Sequence, residues 1–383
     1  MKMKILIASE FRCHIYKNDY YLSSKAYSIY KRYSDAFGKV ILCSRFVTLD
    51  KLEKGLIKVD FIDDIVQINS LTKSLLNGYN KEIESKIKKC DLVIGRLPSV
   101  TAYKAADIAL KNNILFLAEL MCDGWDPYWN HGLTGKLIAP YMHFKMRKVT
   151  SKADYAVYVT KEYLQNRYPC KNESINASNV LIKSINEDVL QKRIERIKRM
   201  PFNILELDVM TTASIDLLSK GQRFVVRAMG ELKKEGIRIN YHLVGGGNKE
   251  HLLNEAKKSN VADQLIFKGE LTLEEVYEEL DKIDIYIQPS LQEGLPRAVI
   301  EAMSRACPCI GANTAGIPEL LNKECITKCR SSHDIVRAIK EMLSNGLEKY
   351  AIENFENSKD YLEERLNLKR NSYFDTIKSR IKN

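Results

Sequence analysis

Two glutamates offer the clearest chemistry in this chain. Glu293 lies in a Gly/Pro-containing stretch directly after an apolar run at 283–287, and Glu301 follows seven intervening residues later, at the head of a predicted helix. A loop at the end of a buried strand, followed by a helix, is where open α/β sheets bind their ligands. The residues between the two, Gly-Leu-Pro-Arg-Ala-Val-Ile, are mostly apolar, so this is not a solvated acidic run. A loop carboxylate suits sugar hydroxyls. A second carboxylate, about two helical turns on, can accept both hydroxyl protons of a ribose.

Two further groups have chemistry of their own. Lys220-Gly221 precedes a helical stretch at 224–234 and follows an apolar run at 204–209. A lysine at a helix N-terminus joins a cation to free backbone N–H groups, which suits a diphosphate. Val244-Gly245-Gly246-Gly247 ends another apolar run, and glycines there permit a tight turn and close backbone approach to a ligand. A dinucleotide fingerprint is the rival reading, but Gly-Gly-Gly-Asn-Lys-Glu-His lacks the G-x-G-x-x-G spacing and lies outside the first strand–helix unit.

The elements that must hold these groups are short β-branched runs alternating with helical stretches. The runs fall at 4–8, 40–43, 91–95, 114–118 and 155–160, then at 204–209, 241–245, 265–269, 283–288 and 308–311. Such alternation implies helix-covered parallel sheets. A chain of 383 residues calls for two domains. The expected division is a domain over 1–185, a charged connection over 186–199, and a domain over 200–361.

The segment from Gln288 to Leu320 resembles the E-x7-E region of family 4 retaining glycosyltransferases (glycosyl transferases group 1), which have the GT-B fold. The resemblance rests on Gln288-Pro289-Ser290, on Glu293-Gly-Leu-Pro-Arg-Ala-Val-Ile-Glu301-Ala-Met, and on Gly316-Ile317-Pro318-Glu319. It covers the second half well, from about Leu207 to Leu321, and the first half faintly. It implies an α/β protein with two Rossmann-like, doubly wound parallel-sheet domains facing a central cleft. A C-terminal helix over about 362–383 would cross back to the first domain.

By the same resemblance, Glu293 sits beside the transferred sugar and Glu301 holds the ribose. Lys220 and Gly221 meet the diphosphate, and the amides of Gly294 and Leu295 hold sugar hydroxyls or phosphate oxygens. Gly245 and Gly246 form the Gly-rich turn, and the backbone at Lys268 lies near the base. Many family members carry an arginine about five residues before the lysine. Here that place reads Thr212-Ala213-Ser214-Ile215-Asp216, so hydroxyls and amides, or Arg297, must supply what is missing. Where many members have a histidine, this chain has Met121-Cys122-Asp123, which makes Asp123 a second catalytic candidate.

Two loops of the first half suggest the acceptor side. Gly95-Arg96-Leu97-Pro98-Ser99 supplies Arg96, and the loop from Asp123 to His131 supplies Trp125, Asp126 and His131. Aromatic rings beside acids and amides suit the holding of sugar rings.

The resemblance thus implies a retaining transferase. It would move a sugar from a nucleotide diphosphate sugar, UDP-linked by family frequency, to a glycan or lipid-linked glycan. Bacterial capsule or lipopolysaccharide biosynthesis fits that class. No D-x-D motif occurs, and neither metal nor cofactor is expected. The alternatives are a non-catalytic GT-B partner binding nucleotide or glycan, and a sugar-nucleotide epimerase.

Residues 1–200 hold 34 Lys/Arg against 21 Asp/Glu, so the excess of positive charge lies in the first half. That suggests contact with something anionic, with a membrane surface preferred over nucleic acid because no nucleic-acid module or stacking platform is present. The stretch 135–148, Gly-Lys-Leu-Ile-Ala-Pro-Tyr-Met-His-Phe-Lys-Met-Arg-Lys, mixes apolar and basic residues and suits an anionic interface or a solvated amphipathic helix. The N-terminal run is too short for a signal peptide, so a cytoplasmic enzyme, peripheral to the membrane, is expected. Nine cysteines without a C-x-x-C pair read as reduced thiols.

Overall fold

The computed structural model describes residues 3–70, 73, 78–201 and 204–382. The chain forms two compact units, Met1–Ala177 with Leu368–Asn383, and Ser178–Asn367.

The first unit is built on a nine-stranded sheet among the described residues. Its strands are β1 (Met3–Tyr16), β2 (Asp19–Ser23), β3 (Gly38–Thr48), β4 (Leu56–Lys58), β5 (Ile62–Gln67), β6 (Leu92–Leu97), β7 (Leu115–Leu120), β8 (Tyr155–Tyr158) and β9 (Glu173–Asn176). The parallel part runs β5-β3-β1-β6-β7-β8-β9. The outer half of β1 carries an antiparallel extension through β2 and β4. Every residue of β6 is buried, as expected for a central strand covered on both faces. Helices start at side-chain caps: Ser23 accepts from Ala26 N–H, and Ser99 accepts from Ala102 N–H at 2.9 Å.

The order of the second sheet decides where its ligand must sit. Strands β10 (Glu206–Thr212), β11 (Arg238–Val244), β12 (Leu265–Gly269), β13 (Ile285–Gln288), β14 (Cys309–Ala312) and β15 (Ile326–Thr327) lie in the order β12-β11-β10-β13-β14-β15. All are parallel. This is the doubly wound order in which the chain reverses direction between its first and fourth strands, and ligands bind at that reversal. Here the reversal lies between β10 and β13, whose C-terminal loops carry Lys220 and Glu293.

Two boundaries differ from the sequence expectation. The 186–199 stretch is not a connection. It folds as the helix Glu187–Lys198, capped by Asn186 and with acids in its first turn and bases in its last. That helix belongs to the second unit. Its buried Arg193 donates to the carbonyls of Leu280 and Ile283, and Arg196 pairs with Asp284 at 2.9 Å. The first unit therefore ends at Ala177 and not at 185. The last helix, Glu363–Lys382, returns to the first unit from Leu368 onward. There Phe374 packs on Phe37 and Tyr33, with ring centroids 5.1 and 5.6 Å away. The hydroxyl of Tyr373 donates to the carbonyl of Glu173 at 2.7 Å.

Candidate functional site

Three loops build the site of the second unit. The 289–296 loop leaves β13 and enters the helix Arg297–Ser304. On one side Leu291 N–H donates to the carbonyl of Ser219 at 2.7 Å. On the other, Gly316 N–H donates to the carbonyl of Gly294 at 2.9 Å, and the Thr314 hydroxyl donates to the carbonyl of Ser290 at 2.9 Å. The loop is thus fixed by main-chain bonds, which preorganises any side chain it bears.

Gly221 shows how tight the fit is. Its φ is +76°, and a Cβ there would lie 2.0 Å from the carbonyl oxygen of Pro289. Only glycine lets the turn before the helix Gln222–Lys234 approach the 289–296 loop so closely. The consequence is an ion pair: Lys220 Nζ lies 2.7 Å from Glu293 Oε1. Gln288 Nε2 donates to the same oxygen at 3.2 Å. The sequence reading passed over Gln288, although it stands in the Gln-Pro-Ser signature that marks the loop.

Glu301 lies on the first turns of the helix Arg297–Ser304, four residues after Arg297. Its carboxyl is raised above the usual carboxylate range by burial, which the Arg297 guanidinium partly opposes. It accepts no hydrogen bond among the described residues. A half-buried carboxylate of this kind gains most from a ligand that brings two donors. Gly294 and Leu295 are buried immediately before the helix N-terminus.

The other donor-side candidates surround the same reversal point. Gly245 has φ +143°, and a Cβ there would lie 2.2 Å from the carbonyl oxygen of Ala213. The Gly-rich turn is thereby pressed onto the loop that follows β10, and Ile215 N–H donates to the carbonyl of Gly246 at 2.8 Å. Where the family arginine is absent, Asp216 accepts from the Ser214 hydroxyl at 2.7 Å, so this loop presents an acid beneath the turn. The Lys268 ammonium is taken up by Glu279 at 2.9 Å, leaving the backbone as what that residue can offer a base.

In the first unit the picture changes. Arg96 is 1% exposed and donates through Nε to Glu119 at 2.6 Å, while its guanidinium stacks 4.6 Å from the Phe11 ring. It is a core cation, not an acceptor contact, because β6 is buried on both faces. Asp123 is fully buried. It accepts from the hydroxyls of Tyr163 and Tyr168 at 2.8 and 2.9 Å and from Trp125 N–H at 2.5 Å, and it pairs with Arg167 at 2.5 Å. A carboxylate so fully engaged orders its loop, and the catalytic role expected for it does not fit this placement.

Asp126 and Trp125 are half-buried on the loop that Asp123 holds. The Asp126 carboxyl is pushed up to about 6, first by burial and then by the neighbouring charge of Asp123, against the pull of Arg167. Trp125 stacks on Trp129 with centroids 5.0 Å apart and meets the His143 ring edge-on. His131 is exposed at the start of the helix Gly132–Thr150. These residues form one loop cluster, from which Arg96 is separated by its burial.

Glu10 opens the Glu10-Phe11-Arg12 stretch, where the sequence lacks the glycine pair that many family members have, and no role was assigned to it; it stands where the first sheet reverses direction, between β1 and β6. Its Oε1 accepts from the Ser99 hydroxyl at 2.9 Å and from Thr101 N–H at 3.3 Å, and its Oε2 is buried without a hydrogen-bond partner.

Comparison with known proteins bears on the family and the fold. Residues 209–358 match the family model described as "Glycosyl transferases group 1". Protein CapJ of Staphylococcus aureus is 30% identical over 96% of this chain and 94% of its own. The amylovoran biosynthesis glycosyltransferase AmsK of Erwinia amylovora is 28% identical over 40% of this chain and 37% of its own. Among solved structures, sucrose-phosphate synthase of Thermosynechococcus elongatus superposes with a TM-score of 0.70 at 13% identity, covering 99% of this chain and 100% of that one. Anabaena HepE, solved in complex with UDP-glucose, gives 0.62 at 13% identity over 99% and 100%. Those two likenesses establish the GT-B fold. The match to Protein CapJ, running through nearly all of both sequences, shows kinship, and this chain belongs to the group 1 glycosyltransferases.

Proposed function

We propose that this glycosyltransferase is a retaining enzyme of family 4 that moves a sugar from a UDP-linked donor to a hydroxyl of a glycan or lipid-linked glycan. The single observation behind this reading is the Lys220–Glu293 ion pair at the reversal point of the second sheet, with Glu301 on the helix that follows the same loop. In this reading Glu301 takes the ribose hydroxyls, and Lys220 with the amides of Gly294 and Leu295 takes the diphosphate. Glu293 lies against the sugar and faces the positive charge that develops as the bond to phosphate breaks. Fixed charges of this kind stabilise a transition state without reorganising. The leaving phosphate takes the acceptor proton, and the lysine and amides serve where a metal would otherwise be needed.

The donor class is supported by HepE, whose structure holds UDP-glucose. The pathway is supported by the names of relatives, which include glycosyltransferases of amylovoran and colanic acid biosynthesis. Biosynthesis of a bacterial surface polysaccharide, at the cytoplasmic face of the membrane, is the setting we infer. The test is incubation with UDP-sugars and a lipid-linked glycan extract, with the product's anomeric configuration read by NMR. Retention of the donor's α configuration, lost with all product in Glu293→Ala, is expected. An inverted product, or full activity in that variant, would overturn the reading.

A further inference from the structure

The helix Gly132–Thr150 is apolar on two opposite sides. One side, formed by Gly135, Ala139, Met142, Met146 and Val149, is buried in the first unit. The other is bare: Leu133 is 81% exposed, Leu137 82%, Phe144 66% and Tyr141 44%. At about 100° per residue, Leu133, Leu137, Tyr141 and Phe144 fall in one stripe, opposite the buried one. Trp129, 41% exposed, lies on the preceding turn beside Lys136, whose ammonium is 5.5 Å from its ring. A helix with a second large apolar face needs a second apolar environment. No helix among the described residues is long and apolar enough to cross a membrane, so this one would lie along a surface.

Charge indicates which surface. The helix carries Lys136, Lys145, Arg147 and Lys148 and no acidic residue. At its C-terminal end, Lys111, Lys148 and Lys152 converge on a surface pocket of about 310 Å³, lined also by Asp107, Leu110 and Val149. The one carboxylate there, Asp107, is already engaged by Lys145. Three lysines around an open pocket, continuous with an apolar stripe, match a phosphate headgroup above its acyl chains.

We propose that the helix 132–150 docks this enzyme on an anionic lipid leaflet, with Leu133, Leu137 and Phe144 in the acyl boundary and Lys111, Lys148 and Lys152 on headgroup phosphates. This rests on the lipid-linked acceptor reading and gives it a defined contact surface, built from residues of the first unit that include none of the donor-side candidates. Lysines at an anionic surface each add about fivefold to binding, and a large apolar side chain about tenfold.

The experiment is vesicle flotation of the full chain, without sugar nucleotide or acceptor. Vesicles of phosphatidylglycerol mixed with phosphatidylcholine are compared with phosphatidylcholine alone, at low and high salt. Binding to the anionic vesicles is expected, together with a blue shift of tryptophan fluorescence from the chain's two tryptophans. Leu137→Ser/Phe144→Ser should lower the partition coefficient about 100-fold, and Lys148→Glu/Lys152→Glu at least about 25-fold. Both variants should keep the wild-type Tm and the wild-type response to nucleotide, so failure of docking and failure of the transferase reading are separate results. Equal binding to both vesicle types, or binding to neither, would overturn the proposal. So would a wild-type dimer in light scattering that Leu137→Ser converts to monomer, which would assign the stripe to a second copy of the chain.

Discussion

In the free protein the cation proposed for the donor diphosphate is held by the carboxylate proposed for the sugar. Lys220 Nζ and Glu293 Oε1 are 2.7 Å apart, and their side chains are only 23% and 13% exposed. At an effective dielectric of about 20 the gross attraction is about 6 kcal/mol, but desolvation and screening cut the net value of such pairs to about 1 kcal/mol. A diphosphate must draw Lys220 away from that partner. Glu293→Gln removes the competing charge while keeping an acceptor for Gln288 Nε2. UDP should then bind about fivefold more tightly, the equivalent of about 1 kcal/mol, because the lysine is released before the ligand arrives. Sugar transfer should fall at least about 100-fold in the same variant, since the charge facing the developing sugar cation is gone. Lys220→Met should weaken UDP by about 10- to 100-fold, the usual range for a charged hydrogen bond. Isothermal titration with UDP and a transfer assay on the same preparations separate these effects. If Glu293→Gln weakens UDP as Lys220→Met does, the two groups bind the nucleotide together, and the competition argued here is wrong.

Four other perturbations have directions that the structure fixes. Gly221→Ala should cost at least about 2 kcal/mol of stability and abolish the nucleotide-induced rise in Tm, because its Cβ meets the Pro289 carbonyl at a positive φ. Affinity for a UDP-sugar, whose diphosphate does not titrate near neutrality, should weaken as pH falls through the raised range of Glu301, starting above the usual carboxylate value; Glu301→Gln should flatten that profile in titration calorimetry. Burial pushes the Asp126 carboxyl up to about 6, above the ordinary aspartate value of 3.8, so its ionisation costs stability as pH rises through that window. Asp126→Asn should therefore raise stability at pH 7.5, by about 1–2 kcal/mol after allowance for solvent screening, and leave it unchanged at pH 4, as read from denaturant melts. Asp123→Ala should lower stability by about 3–5 kcal/mol, since it strands Arg167 and two tyrosine hydroxyls, whereas a purely catalytic residue would leave the melt unmoved.

The grouping of the donor-side candidates was legible in the sequence because they sit at strand ends within one sheet, where a residue's position along the chain largely fixes its position in space. Lys220, Gly245, Glu293 and Glu301 needed no tertiary information beyond the strand order. The first unit was less legible for a physical reason. Arg96 and Asp123 are charged residues beside strand ends, just as the donor residues are, and nothing in their local sequence shows that Arg96 is buried against Glu119 or that Tyr163 and Tyr168 engage a buried Asp123. The helix Glu187–Lys198 read as a connection because charges dominate it, and its docking rests on a buried arginine beside a short, half-covered apolar stripe of Leu190, Ile194 and Ile197. The hairpin of β1 and β2, and the antiparallel pairing of β2 with β4, were also missed, since these short, partly exposed strands lack a continuous apolar run. The bare stripe on the helix 132–150 is the converse case. Its composition was visible, but only the fold shows which of its two apolar faces the core covers.

The most direct test of the central claim is titration of the protein with a panel of nucleotide sugars, repeated on Glu301→Ala and Lys220→Ala. The account predicts that a UDP-sugar binds the wild-type protein, that its affinity falls at least about tenfold in each variant, and that both variants retain the wild-type far-UV spectrum. Undiminished binding in the two variants, or binding of no nucleotide sugar by the wild-type chain, would contradict it.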